Sequence, residues 1–288
     1  MQNRWVVVVV ILLVLGFFSI MVSGIMGLFM SADIETGNVA LIPVRGIIMT
    51  SGSGGLFQSG IASSTDIIGK IEDADKDPTI DAIVLEIDSG GGTPVASDEI
   101  TQAVLSAEKP VIGWIREVGA SGAYYIASGC DRIYANRMSI TGSIGVIGSY
   151  LEFEGLMDDY NVTYRRLVAG ELKDMGSPFK EMSEEEQERM QEVLDKMHDI
   201  FIDEISSNRN MSRDEVVSLA TGEIFLGVEA DKNGLVDALG GKPEITSYLE
   251  DSLNISVEYK SYRQKRTLFD ALGTMSLAKG LIDPPIMT

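Results

Sequence analysis

The 288-residue sequence contains a single cysteine and a single histidine. One cysteine excludes an intrachain disulfide, so the core has to hold without staples. A chain of this length with 45% hydrophobic and 23% charged residues can do that. The lone His198 and Cys130 leave no ligand set for a conventional zinc site. They also make a Ser-His-Asp arrangement depend on one imidazole in the middle of a helical pattern. A Cys130–His198 nucleophile pair has no motif around it.

Positive charge is scarce as well. Lys and Arg total 23 against 43 Asp and Glu, a net charge of -20. So acidic a surface is a poor match for nucleic acid, and it disfavours close docking of the soluble part on anionic lipid. No G-x-x-x-x-G-K-S/T or G-x-G-x-x-G element follows a strand pattern, so nothing points to a nucleotide. Asp73, Asp75 and Asp77 open like a calcium loop, but Pro78 stands where glycine is needed and Val84 where a bidentate glutamate is needed. That stretch reads as a solvated helix end, and no cofactor is expected.

Between Trp5 and Met30 charge is missing altogether. About 20 apolar residues cross a bilayer, so this run can span one with some tilt. Secretory signals have shorter apolar regions and a small-residue cleavage site, and the exit at 27–32 is a poor one. Residues 1–32 are therefore expected to be a cytoplasmic N-terminus and an uncleaved membrane anchor. Arg4 precedes the run and Asp33 and Glu35 follow it, which leaves the rest of the chain on the extracytoplasmic side of the cell membrane.

Beyond the apolar run, β-branched segments alternate with helical patterns. Strands are expected at Val39–Val44, Ala82–Ile87, Val111–Ile115, Arg132–Ala135, Ile144–Gly148, Thr163–Val168 and Ser256–Tyr259. Helices are expected at Thr65–Ala74, Ser97–Ala107, Gly122–Ser128, Glu184–Ser207, Arg213–Ala220 and Glu244–Leu253. Alternation of this kind predicts an α/β fold on a largely parallel sheet, spanning residues 33–260. Residues 261–288 form a tail whose order the pattern does not set. The long helix begins with Ser183 and Glu186, which suits a capping box. Met190, Val193, Leu194, Met197, Ile200, Phe201 and Ile205 form a single apolar stripe along it, expected to be buried.

With histidine excluded as the usual base, serine with lysine remains. The short S-x-x-K pattern occurs at Ser106/Lys109, Ser177/Lys180 and Ser276/Lys279, never with S-D-N and K-T-G partners, so spacing alone decides nothing. Context is more informative. Ser121 stands between the strand at Val111–Ile115 and the short helix Gly122–Ser128, among Gly119, Ala120, Gly122 and Ala123. Small neighbours let a substrate backbone approach. Ala123 replaces the last glycine of G-x-S-x-G, and by itself a junction of this kind is more often structural than catalytic. Upstream, strand Ala82–Ile87 runs into Asp88-Ser89-Gly90-Gly91-Gly92, whose glycines can turn N–H groups outward. Downstream lie Ser143 at a strand entry and Lys173 in a loop after a strand.

The strings GASGAYYIAS, ITGSIGVIG and GELKDMGSPFKEMSEEE, in this order, resemble the signal peptide peptidase A family. The likeness covers about Val39 to Gly240. It implies Ser121 as nucleophile, Lys173 as general base, Ser143 as the serine that bonds the lysine, and oxyanion donors among Gly91, Gly92 and Gly122. One departure is Ser89-Gly90-Gly91-Gly92 where the family usually has Ser-Pro-Gly-Gly. The resemblance further implies a crotonase/Clp-protease-like ββα spiral and ring-shaped homo-oligomers. Its substrates would be hydrophobic peptides, notably signal-peptide remnants. A lysine in water is protonated at neutral pH, so a lysine base has to be held dry. Two competing readings are a non-catalytic membrane scaffold on this fold and an acyl-CoA-type crotonase enzyme. Neither uses the two serines and the lysine.

Overall fold

The computed structural model describes residues 13–19, 21, 36–51 and 60–262. The chain divides into two units, Met1–Thr36 and Gly37–Thr288. In the first, residues 13–19 are helical. No helix among the described residues is long and apolar enough to cross a membrane. Most of the run expected to form the anchor lies outside the described residues, as does the tail from residue 263 onward.

The second unit opens with β1 (Val39–Arg45), β2 (Ile47–Met49), β3 (Ile61–Ser63), α1 (Ser64–Lys76) and β4 (Ala82–Ser89). Next come α2 (Pro94–Leu105), β5 (Val111–Ala120), α3 (Gly122–Ser128), β6 (Arg132–Ala135) and β7 (Ile140–Gly142). After a long irregular stretch holding α4 (Glu154–Asp159) stand α5 (Glu184–Arg209), α6 (Arg213–Leu219) and β8 (Ile224–Leu226). The described part ends with α7 (Gly227–Lys232), β9 (Ala238–Leu239), α8 (Lys242–Leu253) and β10 (Tyr259–Ser261).

The main sheet runs β10-β1-β4-β5-β6-β9, with every neighbouring pair parallel. β7 joins the far end of β5 in parallel, and β8 pairs antiparallel with β7. β2 and β3 form a separate parallel pair. The near-continuous apolar run in β4 is explained by burial on both faces. Ile83, Leu85 and Ile87 join the cluster that also holds Ile71 of α1, Ile100 of α2 and Ile126 of α3. Ala82 and Val84 face the other way, toward Ile245 and Leu249 of α8. Each fully buried isoleucine contributes about 1.5–3 kcal/mol, and these rows fix the register of the parallel strands.

The α/β architecture with a parallel sheet is as expected, but three details differ. Ile144–Gly148 and Thr163–Val168 form no strand. A β-branched run becomes a strand only where another strand offers its edge, and among the described residues neither segment finds one. The stripe on α5 is buried only toward its C-terminal end: Phe201, Ile202 and Ile205 are in the core, whereas Met197 and Ile200 are 39% and 58% exposed. An amphipathic pattern says that a face can be covered but not by what, and only the later turns of α5 reach the sheet's helices. The last strand lies at Tyr259–Ser261 rather than Ser256–Tyr259, and α2 starts earlier than expected, with Pro94 in its first turn. Ser183 and Glu186 do form the capping box. Two of the three aspartates read as a helix end are spent on bonds within the protein: Asp75 accepts from the backbone N–H groups of Glu108 and Lys109, and Asp77 caps α1 and pairs with Lys260 at 2.8 Å.

Candidate active site

Parallel strands β4, β5 and β7 point their C-terminal ends the same way, and the loops leaving them converge there. Ala120 of β5 is paired with Gly142 of β7, so Ser121 and Ser143, the next residues, leave the sheet side by side. The Ser121 N–H donates to the Gly142 carbonyl at 2.8 Å, and the Ser143 N–H to the Glu223 carbonyl at 2.7 Å. Both serines have positive φ, 52° and 50°. Non-glycine residues adopt that region at a cost of about 1–3 kcal/mol, and they keep it where the surroundings impose it. Here β5 ends and α3 begins with no intervening loop, and Ser121 absorbs the whole change of direction. All seven residues of α3 are buried, and Tyr125 is bonded to Asp98 of α2, so the platform under Ser121 is rigid.

The glycine loop after β4 packs directly on this junction. A Cβ on Gly91 would lie 2.9 Å from the Ser121 Cβ and 2.8 Å from the Gly122 nitrogen. A Cβ on Gly122 would lie 3.3 Å from the Gly92 nitrogen and 2.3 Å from Ser97 Oγ. Only residues without side chains permit this approach. The three glycines differ in what their N–H groups do. The Gly91 N–H donates to Ser89 Oγ at 3.0 Å, and Ser89 Oγ in turn donates to the Gly46 carbonyl at 2.6 Å. Among the described residues, the N–H groups of Gly92 and Gly122 find no acceptor. Two adjacent free donors beside a serine hydroxyl are the requirement for holding an oxyanion. Ser89 and Ser97 were not singled out by sequence. Their only signal is position, Ser89 opening the glycine run and Ser97 five residues past it.

Lys173 sits in the turn between Gly170 and Gly176 and is exposed. Its backbone N–H bonds Gly170, but no hydrogen bond among the described residues joins its amine to Ser121 or Ser143. The structure thus brings together Ser121, Ser143, Gly91, Gly92 and Gly122, and leaves Lys173 on the surface of the single chain. The other two candidate nucleophile or base groups are placed elsewhere. Cys130 is buried in the core, where burial pushes its thiol pKa up. His198 is half-buried on α5 and shares no hydrogen bond with Ser121.

The sequence profile of peptidase family S49 matches residues 103–256, more than half of the chain. A candidate protease of Methanocaldococcus jannaschii is 33% identical over 211 residues, which cover 71% of this chain and 68% of that one. A candidate signal peptide peptidase SppA of Enterococcus faecium is 34% identical over 236 residues, covering 81% of this chain and 65% of that one. The chain therefore spans about two thirds of the length of these two relatives. Among solved structures, a membrane-bound stomatin-specific protease, 1510-N, in complex with a substrate peptide superposes with a TM-score of 0.53 at 15% identity. The superposition covers 85% of this chain and all of that one, a likeness of fold. The chain belongs to peptidase family S49, the signal peptide peptidase A family, a family of serine endopeptidases.

Proposed function

We propose that Ser121 and Lys173 form a catalytic dyad that hydrolyses cleaved signal peptides and other unfolded apolar peptides. The observation that carries this reading is the positive-φ serine between β5 and α3 with the free N–H groups of Gly92 and Gly122 beside it. The neutral amine of Lys173 takes the Ser121 proton as Oγ attacks the scissile carbonyl. The carbonyl oxygen becomes an oxyanion held by the Gly92 and Gly122 donors, and Gly91 shapes the loop through Ser89. The ammonium then protonates the leaving amine. Water, giving its proton to the lysine, displaces the acyl group from Ser121, whose Oγ takes that proton back from the ammonium. Ser143, beside Ser121 at the next strand end, orients the amine.

A lysine base has to be dry, and in the single chain Lys173 is not. Ring assembly supplies the cover. Two features support a neighbouring subunit on this side: among the described residues the β-branched runs Ile144–Gly148 and Thr163–Val168 have no strand partners, and Ile147 and Leu167 are 85% and 96% exposed. The doubly covered parallel sheet is compatible with a crotonase/Clp-protease-like spiral. Residues 1–32 anchor the assembly, with the peptidase domain on the extracytoplasmic face.

Two experiments test this. Wild-type protein treated with a fluorophosphonate acquires the label at Ser121, located by mass spectrometry, and loses peptide cleavage in proportion. Labelling at another serine with loss of activity would remove Ser121 from the mechanism, and no cleavage in a broad peptide and pH screen would favour the scaffold. For the anchor, full-length protein stays in the membrane pellet after alkaline carbonate extraction, and removal of residues 1–32 releases it. Release of the full-length chain by carbonate refutes the anchor.

A further inference from the structure

The turn that carries Lys173 is tied down by charges that take no part in the proton transfers. Arg166 grips it on both sides of the lysine. Its Nε donates to Asp174 Oδ2 at 2.6 Å, and its Nη2 donates to Asp174 Oδ1 at 2.9 Å and to the Glu171 carbonyl at 2.7 Å. Behind the turn, Lys180 Nζ stands 4.0 Å from Asp174 Oδ1 and donates to both carboxylate oxygens of Glu186 at 2.6 Å. Glu186 is only 3% exposed, and its carboxylate accepts the Ser183 N–H in the capping box of α5. Opposite charges thus alternate from Arg166 through Asp174 and Lys180 to the first turn of α5. The Arg166 fork holds the Asp174 carboxyl below its usual range, and Lys180 does the same for Glu186.

Among the described residues, the turn's own backbone-to-backbone bonds do not tie it to the rest of the protein. Gly170 and Gly176 bound it with φ of 101° and 77°. Its backbone bonds, Lys173 to Gly170, Met175 to Leu172 and Ser177 to Asp174, all stay inside residues 170–177. Among the described residues, apart from the Phe179 N–H that donates to Ser177 Oγ at 3.4 Å just past the turn, the side-chain hydrogen bonds and ion pairs that tie the turn to the protein beyond it run through Arg166 or Lys180.

We propose that Arg166, with the Asp174–Lys180–Glu186 chain behind it, is a positioning clamp that sets where the Lys173 amine stands relative to Ser121. This rests on Lys173 being the base. The clamp has an expected signature because two magnitudes differ. At its Arg166 end the chain of charges is 41% exposed, where an ion pair contributes little to stability, whereas displacing a catalytic group by 1 Å costs about 100-fold in rate. A clamp lowers turnover and spares the fold; a merely structural ion pair does the opposite or nothing.

The test uses full-length protein in detergent with a fluorogenic apolar peptide. Arg166→Ala lowers kcat about 10- to 100-fold, with KM within about twofold and a melting temperature within about 2 °C of wild type. Adding Arg166→Ala to Lys173→Ala slows the residual reaction no further, because the clamp acts only through the lysine. Exchanging the charges, Arg166→Asp with Asp174→Arg, recovers part of the lost turnover. Arg213→Ala removes an equally ionic contact, to Asp199 and Asp203, and leaves kcat unchanged. Wild-type kcat in Arg166→Ala overturns the clamp, and so does a loss that parallels a fall in melting temperature. In either case an inactive Lys173→Ala keeps the base assignment standing. Wild-type kcat in Lys173→Ala would remove the base itself.

Discussion

On the proposed dyad, Ser121→Ala and Lys173→Ala each abolish peptide cleavage, lowering kcat by about 10⁴-fold or more, with unchanged circular dichroism. The size of the effect comes from the division of labour. Without Oγ there is no acyl-enzyme, and without an amine that can be neutral there is nothing to take the hydroxyl proton. Lys173→Arg is equally inactive, because a guanidinium stays protonated. The double variant Ser121→Ala/Lys173→Ala is no slower than either single one, since the two groups act as a unit. Ser143→Ala retains part of the activity, because it removes an orienting hydroxyl and leaves both reacting groups. Wild-type turnover in Lys173→Ala would mean that another group takes the proton.

Gly92→Ala and Gly122→Ala also inactivate the enzyme, but for separable reasons. A Cβ on Gly92 would stand 1.9 Å from the Ile48 carbonyl oxygen and 2.6 Å from the Ile48 nitrogen. Those are backbone atoms of β2, which Gly92 bridges, so nothing can rotate aside. The loop has to move, its N–H leaves the oxyanion position, and activity falls about 10²- to 10³-fold with a loss of stability of about 1–3 kcal/mol. At Gly122 the obstacle is the side-chain oxygen of Ser97, at 2.3 Å. Adding Ser97→Ala to Gly122→Ala therefore restores part of the activity, whereas no single partner change restores Gly92→Ala. Gly90→Ala is the internal control, because nothing lies within 4 Å of its Cβ position. Steady-state kinetics and thermal melts of these variants decide the matter. An active, stable Gly92→Ala would contradict the geometry of the loop.

Much of the frame is legible in the residues alone. Ala82–Ile87 reads as a doubly buried strand because nearly every position is apolar, and Gly122–Ser128 reads as a helix opened by small residues; both are found there. Ser121, Ser143 and the glycine loop do meet at one end of the sheet. What escaped has physical causes. β2, β3, β7, β8 and β9 have two or three residues each, too few for a period to appear. The division of work among the glycines depends on Ser89 Oγ occupying the Gly91 N–H, a long-range arrangement anchored on Gly46. Ile144–Gly148 and Thr163–Val168 have the composition of strands, but composition cannot say that no partner edge meets them among the described residues. The exposed face of α5 belongs to the same class of error. In both places local pattern records a surface fit to be covered, and only the folded chain reveals whether it covers that surface itself.

The pairing of β10 with β1 has a consequence for when activity can arise. The first strand of the sheet takes the last described strand as its edge partner, and Glu258 bonds Asn38 across 220 residues in both directions. Contacts of such long separation form late and slowly. A nascent chain cannot close this edge until residues 259–261 have been synthesised and are free to fold. A chain cut short before β10 therefore holds Ser121 on an unfinished sheet, and the capacity to cut is postponed until that last strand is in place.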